Sequence, residues 1–274
     1  MINSSAAAAI DRLEARAYTI PTEQPESDGT FAWEATTMVV AHAFVRDRKG
    51  IGYSYAAPAA AGIIRHQLAA AVRGRSAMDI PGCWQAMLTS VRNLGATGLC
   101  MMAIAAVDSA LWDLKGRLLD LPLVSLIGSV RKEIPVYGSG GFTSYTIREL
   151  TSQMAGWTAQ GIEQVKMKIG RDPGGDPERV AAVRAAIGRQ PRLFVDANGA
   201  YDRKQALAMA EILAAQGVVW LEEPVHHLDF AGHKLLRDRA PAGMEIAGGE
   251  YGFHRDYFHR LISAAAVDVV MADA

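Results

Sequence analysis

Through the second half of the chain, short apolar runs take turns with longer amphipathic stretches. The clearest run lies between Gly161 and Gly170, where Val165, Met167 and Ile169 alternate with Lys166 and Lys168. A period of two makes this a strand with its apolar side chains on one face and both ammonium groups on the other. Arg192–Asp196, Val218–Glu222 and Glu245–Glu250 repeat the form, each a short run after a helical pattern and each ending on a carboxylate. The pattern predicts strands beginning near 134, 163, 193, 218, 244 and 267, with helices at about 147–159, 177–188, 203–216, 228–238 and 254–265. Strands and helices in strict alternation predict a parallel sheet of barrel type.

The first half reads differently. Residues 9–20 and 32–45 predict two strands, and Asp47–Gly50 predicts a turn into a third, Ile51–Tyr55. Between the first two lies a polar segment, 21–30, too long for a simple hairpin turn and of the kind that is often functional or mobile. Helices are expected over Ala59–Arg73, Trp84–Leu94 and Gly98–Leu119, the last with a wide apolar face and ended by Pro122. Asp108 and Asp113 within that helix are read as structural.

The chemistry sits at the strand ends. Alone, Lys166 and Lys168 would suit a solvated edge strand, but a barrel strand buried on both faces turns them into a polar interior. Like charges so close depress each other's pKa, which helps a lysine act as a base. Asp196, Glu222 and Glu250 come next, at intervals of 26 and 28 residues, one strand–helix unit each. In a parallel barrel all three would open on one face. They would repel one another unless a hard cation lay among them, and oxygen-only ligation suits Mg²⁺. Glu223 is read as supporting Glu222 rather than as a fourth ligand. The histidines at 226, 227, 233, 254 and 259 are assigned surface or capping roles.

Taken in order, Lys166-Met167-Lys168, Asp196-Ala197-Asn198, Trp220-Leu221-Glu222-Glu223-Pro224 and Gly248-Gly249-Glu250 resemble the enolase superfamily in its mandelate racemase/muconate lactonizing enzyme-like branch. Ala110–Gly116 resembles the helix that joins the two domains of that family. The resemblance implies an α/β protein: an N-terminal α+β capping domain over 1–127, with a lid loop at about 21–31, then a modified TIM-type (β/α) barrel over 128–274. It further implies Mg²⁺ on Asp196, Glu222 and Glu250, Lys168 as the base that removes the proton α to a substrate carboxylate, and Lys166 as its carboxylate-binding neighbour. Asn198, two residues past Asp196 on the same face, could hydrogen-bond the substrate or Glu222; Tyr137 and Ser139, in the glycine-rich first strand, could face the substrate by position. Asp273 matches the acid that pairs with a second base, a histidine not present in this sequence. Six strands can be counted from Ile134, two strand–helix units short of a closed barrel, so a fragment or truncated form is expected.

The implied reaction is dehydration of a sugar acid to a 2-keto-3-deoxy product, which the polar lid segment also suits. Racemisation or epimerisation is the alternative outcome. A metal-free lyase using a lysine Schiff base, or an inactive fragment, would be readings of another class. The full-length family member is expected to be a homo-oligomer.

Composition adds exclusions. With 274 residues, 50% of them apolar, and a net charge of −1, the chain gives no electrostatic case for nucleic acid or an anionic membrane surface. Cys83 and Cys100 lack metal-type spacing and are expected as buried free thiols. The alanine-rich stretch Met1–Ile10 lacks the basic region and apolar core of a signal peptide, so a cytoplasmic enzyme is expected.

Overall fold

The computed structural model describes residues 8–273, so most of the alanine-rich N-terminal stretch lies outside the described residues. The chain divides into two compact units: Ala35–Glu133 with the chain before Thr22, and Thr22–Glu34 with Ile134–Asp273.

β1 (Arg12–Ser27), β2 (Ala32–Val45) and β3 (Arg48–Tyr55) form a sheet in sequence order, and the first unit holds β3, β1 as far as Pro21 and β2 from Ala35. β2 and β3 pair antiparallel from Val45↔Arg48 to Met38↔Tyr55. The turn between them is tighter than expected, because Arg46 takes φ 53° and pairing resumes at Arg48. One sheet face is small and buried (Ala15, Val39, Ala41, Ala43), and the helices pack there. These are α1 (Ala59–Ile63), a π-helical turn (Ile64–Leu68), α2 (Ala69–Val72), α3 (Ile80–Ser90), α4 (Leu99–Leu119) and α5 (Leu123–Ile127). Gly50 and Gly52 let β3 touch the backbone of α4: a Cβ at either would lie 2.2 Å from Ala110 O or Ala106 O. Asp113 reaches from α4 to accept the Ile51 N–H at 2.8 Å and also pairs with Arg117. Burial pushes Asp108 up to about 6. α4 ends at Asp120 in a left-handed cap, and Pro122 starts α5 rather than ending α4. Both cysteines are buried and free. Among the described residues no helix is long and apolar enough to cross a membrane.

The second unit holds six parallel strands side by side in sequence order: β4 (Gly138–Gly140), β5 (Gln164–Lys168), β6 (Arg192–Asp196), β7 (Val218–Glu222), β8 (Glu245–Gly248) and β9 (Val269–Val270). They alternate with α6 (Ile147–Ala159), α7 (Asp176–Ile187), α8 (Arg203–Ala215), α9 (Phe230–Arg239) and α10 (Arg255–Ser263). Sheet and helices share one core: Val165, Met167, Leu193, Val195, Leu221 and Ile246 on the strands against Leu150, Met154, Val180, Val183 and Leu213 on the helices. Thr146, Asp202, Asp229 and His254 cap the helices that begin after them, Thr146 in a reciprocal capping box with Glu149. The sheet is thus an incomplete TIM-type barrel, as expected.

Two elements differ from expectation. The first barrel strand starts at Gly138, not Ile134; Ile134 and Val136 are exposed and lie outside it. Gly138 and Gly140 lie beneath the Trp157 ring of α6, where any Cβ would collide, and this close approach defines the strand. The polar segment 21–30 is mostly not a loop. β1 runs on to Ser27, and the turn is confined to residues 28–31, organised by Asp28, whose Oδ1 accepts the N–H groups of Thr30 and Phe31 at 2.6 and 2.7 Å. Alternating Thr22, Gln24 and Glu26 sustain a polar strand that an apolar search misses.

The hairpin tip is seated on the strand ends of its own unit. Thr143 N–H donates to Ser27 O (2.8 Å), Thr143 Oγ1 to Asp28 O (2.9 Å), and Arg171 to Phe31 O (2.7 Å). Gly29 lies so close that a Cβ would sit 2.4 Å from Ala197 O and 2.7 Å from Ile169 O. Gly29→Ala should therefore lower stability by roughly 1–3 kcal/mol, the usual cost of overpacking. Gly156, in α6 with open space where its Cβ would go, is the control. Gly156→Ala should raise stability by roughly 0.5–1 kcal/mol. Denaturant unfolding of both variants measures the contrast.

Candidate active site

Parallel register builds the site in two rows. Ser139, Lys166, Phe194 and Trp220 stand opposite one another on β4 to β7. One pleat toward the C-terminal ends stand Lys168, Asp196 and Glu222. The apolar alternates of these strands face the helices, so the polar residues turn inward together. Glu250 comes two residues beyond the last position of β8, past Gly249, whose φ of 136° only glycine adopts readily.

The side chains converge. Lys166 Nζ donates to both oxygens of Glu222 at 2.7 and 2.8 Å and lies 3.7 Å from Asp196. Lys168 Nζ donates to Asp196 Oδ2 at 2.5 Å. The Asn198 N–H donates to Asp196 Oδ1 at 2.9 Å, and Asn198 Nδ2 to Glu250 Oε1 at 3.0 Å. Trp220 Nε1 donates to Glu222 Oε2 at 3.0 Å while its ring stacks on Phe194 at 5.0 Å. One oxygen each of Asp196, Glu222 and Glu250 lies within 4.8 Å of the other two. Asp196 and Glu222 are fully buried and Lys166 is 4% exposed.

Electrostatics here overturn one expectation. Burial disfavours the charge on both lysines, but Asp196 acting on both, with Glu222 acting on Lys166, outweighs it and raises both pKa values. The neighbouring ammonium does lower Lys168, but by less than Asp196 raises it. Chain spacing shows the like-charged neighbour; it does not show the carboxylate directly across the strand. Burial opposes ionisation of Asp196 too, yet Lys168 and Lys166 hold its pKa below the usual carboxylate value. Burial and the Asp196 charge push Glu222 and Glu250 upward.

Of the nine residues singled out from the sequence, six form this cluster: Lys166, Lys168, Asp196, Asn198, Glu222 and Glu250. Tyr137 borders it, its ring centroid 5.3 Å from Lys166 Nζ and edge-on to Phe194. Ser139 lies beside Lys166 on the neighbouring strand. Asp273 is exposed beyond β9, near enough for its charge to raise Glu250. Asn198 contacts Glu250, not Glu222. His254 caps α10 and His226 accepts the Leu228 N–H, but His233 is 1% exposed rather than at the surface, its Nδ1 beside Asp229 O at 3.1 Å. Glu223 has a more distinct place than a support for Glu222. It is 1% exposed, and both carboxylate oxygens are buried without a hydrogen-bond partner. The doubled Glu222-Glu223 is the only signal for it in the sequence.

The donor set suits a hard divalent cation: three carboxylates, no sulfur or nitrogen among the converging atoms, and an excess of negative charge over the two lysines. The cluster stands at the C-terminal ends of parallel (β/α) strands, the face on which such folds carry their active sites.

Comparison with known proteins agrees. Residues 35–128 match the family model of the mandelate racemase/muconate lactonizing enzyme N-terminal domain, and residues 149–274 match the enolase C-terminal domain-like model. A curated relative, L-talarate/galactarate dehydratase of Salmonella typhimurium, is 32% identical over 87% of this chain, and the match spans 62% of its own length. The 3,6-anhydro-alpha-L-galactonate cycloisomerase of Streptomyces coelicolor is 32% identical over 96% of this chain and 74% of its own. A solved mandelate racemase/muconate lactonizing enzyme-like protein from Rubrobacter xylanophilus superposes with a TM-score of 0.93 at 49% identity, covering 96% of this chain and 73% of that one. The talarate/galactarate dehydratase has also been solved with Mg and L-lyxarohydroxamate (TM-score 0.85, 27% identity, covering 96% and 70%). The chain belongs to the mandelate racemase/muconate lactonizing enzyme branch of the enolase superfamily.

Removing one charge from the cluster should show how tightly it is balanced. Lys166→Met leaves Glu222 buried without its ammonium, and should destabilise the protein in metal-free buffer by roughly 3–5 kcal/mol, the usual cost of breaking a buried pair from one side. Urea unfolding in the presence of a chelator measures it.

Proposed function

We propose that this protein removes the proton α to the carboxylate of a sugar acid, with Mg²⁺ on Asp196, Glu222 and Glu250, and that the outcome is dehydration to a 2-keto-3-deoxy acid. The observation carrying this reading is the convergence of the three carboxylates within 4.8 Å, with Lys168 Nζ 2.5 Å from one of them. The names of two relatives support the substrate class, and the dehydratase solved with Mg supports the metal.

Bound there, the cation would compensate the carboxylates and draw charge from the substrate carboxylate. Lys168 is the base. It must be neutral to accept the proton, and with Asp196 and Glu250 both compensated by the cation, burial and the Lys166 ammonium favour the neutral amine. Lys166, one pleat deeper on the same face, keeps its charge and donates to the substrate carboxylate. Asn198, Tyr137 and Ser139 border the site and contact the substrate hydroxyls. Asp273 is the acid that would orient a second acid–base group. The hairpin 22–34 serves as the lid, closing water out of the strand ends.

The second reading is isomerisation, the class to which the Streptomyces coelicolor relative's name belongs. It begins with the same proton removal, and the two reactions part only afterwards, when a hydroxyl either leaves or stays.

Incubation with a sugar-acid library and Mg²⁺ should yield 2-keto-3-deoxy products detectable by carbonyl derivatisation, and none after exhaustive chelation. Lys168→Ala should slow exchange of the substrate α-proton with solvent deuterium by roughly 10²–10⁴-fold while metal still binds. Asp196→Asn should lose both. Turnover that survives chelation would sink the metal reading, and exchange at the unmodified rate in Lys168→Ala would sink the assignment of the base.

A further inference from the structure

Beyond β7 and β6 the chain turns sharply, and each turn leaves a polar group unsatisfied. Glu223 takes φ 40° and Asn198 φ 46°, a left-handed backbone that non-glycine residues adopt rarely and mostly where function holds them. The two turns are tied together: the Gly199 N–H donates to Glu223 O at 2.7 Å, and the Glu223 N–H to Ala247 O on β8 at 2.9 Å. The Glu223 side chain lies over the end of β8, where a Cβ added to Gly248 would come within 3.7 Å of Glu223 Cγ.

Three acceptor atoms are enclosed here with no donor: both carboxylate oxygens of Glu223 and Oδ1 of Asn198. The Gly249 N–H lies nearby without reaching hydrogen-bond geometry. Asn198 gives one Nδ2 hydrogen to Glu250 and keeps the other free for substrate, while its buried Oδ1 accepts nothing. The nearby cations are committed as well, Lys166 to Glu222 and Lys168 to Asp196. Buried acceptors without donors are costly and uncommon, so the site calls for a donor from outside the chain. It lies beside the metal-type cluster, since Glu223 follows Glu222 directly in the chain and Asn198 bonds both Asp196 Oδ1 at 2.9 Å and Glu250 Oε1 at 3.0 Å. Yet Glu223 is not among the oxygens that converge within 4.8 Å. A group beside a cation, but not on it, meets that cation's hydration shell. Mg²⁺ keeps several of its waters, and each is a strong donor.

We infer that Glu223, together with Asn198 Oδ1, accepts hydrogen bonds from a water in the hydration shell of the divalent cation held by Asp196, Glu222 and Glu250. The inference rests on the metal reading above and makes Glu223 a positioning residue. It acts through the water, fixing where the cation's remaining coordination positions point. It also accounts for two left-handed turns side by side, since a straight continuation of either strand would carry these oxygens elsewhere.

The test compares Glu223→Met and Glu223→Gln with the unmodified chain. Mg²⁺ and Mn²⁺ affinity is measured by calorimetry, the number of Mn²⁺-bound waters by water-proton relaxation, and the melting temperature in chelator. Glu223→Met should weaken both metals roughly tenfold to a hundredfold, the usual loss when a partner of the coordination sphere is removed. The number of Mn²⁺-bound waters should stay the same, and the metal-free melting temperature should hold or rise because an unpaired buried carboxylate has gone. Glu223→Gln, which keeps one acceptor, should fall between. Unchanged metal affinity in Glu223→Met overturns the inference. So does a gain of one Mn²⁺-bound water, which would make Glu223 a direct ligand, or a lower metal-free melting temperature in both variants, which would make it structural. An unmodified chain that takes up no divalent ion overturns the metal reading itself, a result the control titration separates from all of these.

Discussion

Five ionisable side chains meet where β5, β6 and β7 end and β8 turns, and nearly everything else in the second unit exists to hold them there. Three are carboxylates and two are ammonium groups, so the cluster is one negative charge from balance in the interior of a protein. Burying charge is tolerable only where pairing is close to complete. Lys166 therefore grips both oxygens of Glu222, and Lys168 lies against Asp196. The same pairing keeps both lysines charged, so they are acids at rest. On the function proposed above, a cation that took over the carboxylates would be what turns Lys168 from an acid into a base.

The parts legible in the sequence were those carried by periodicity. Alternation from Val165 to Ile169 marks the strand, and the carboxylates at regular intervals mark neighbouring strands opening on one side. What periodicity cannot show is what stands across from a residue. Lys166 and Lys168 look like a mutually repelling pair until the register sets Asp196 beside Lys168 and Glu222 within reach of Lys166. Glu223 looks like a repeat of Glu222 until a left-handed turn encloses its carboxylate. Polar alternation from Thr22 to Glu26 has the period of a strand but none of the apolar content that usually marks one, and so reads as loop. His233 sits on a polar helix, yet faces inward because α9 lays that side against β8. Each miss comes from a contact made between elements, at a distance along the chain that no local window spans.

Glycine marks the places where a strand or turn packs closest against its neighbour. Gly50 and Gly52 bring β3 against α4, Gly138 and Gly140 bring β4 under Trp157, and Gly29 brings the hairpin tip onto the carbonyls just past β5 and β6. At these points the space left is smaller than a methyl group. The glycines of the first barrel strand are thus accounted for by the close approach of α6 to Gly138 and Gly140.

The in-register row has a consequence for how such a chain can vary over evolutionary time. Lys168, Asp196 and Glu222 are level because three separate strands each deliver one residue at the same height. Inserting or deleting a single residue within any of these strands would shift its contribution by roughly 3.3 Å and rotate it to the opposite face of the sheet. A lysine or carboxylate would then be driven in among Val180, Val183 and Leu213, and an aliphatic side chain would replace it in the cluster. Length changes are therefore confined to the helices and the connections, while the strands can diversify only by exchange of one side chain for another. New activities on this framework should arise with strand lengths frozen and loop lengths free.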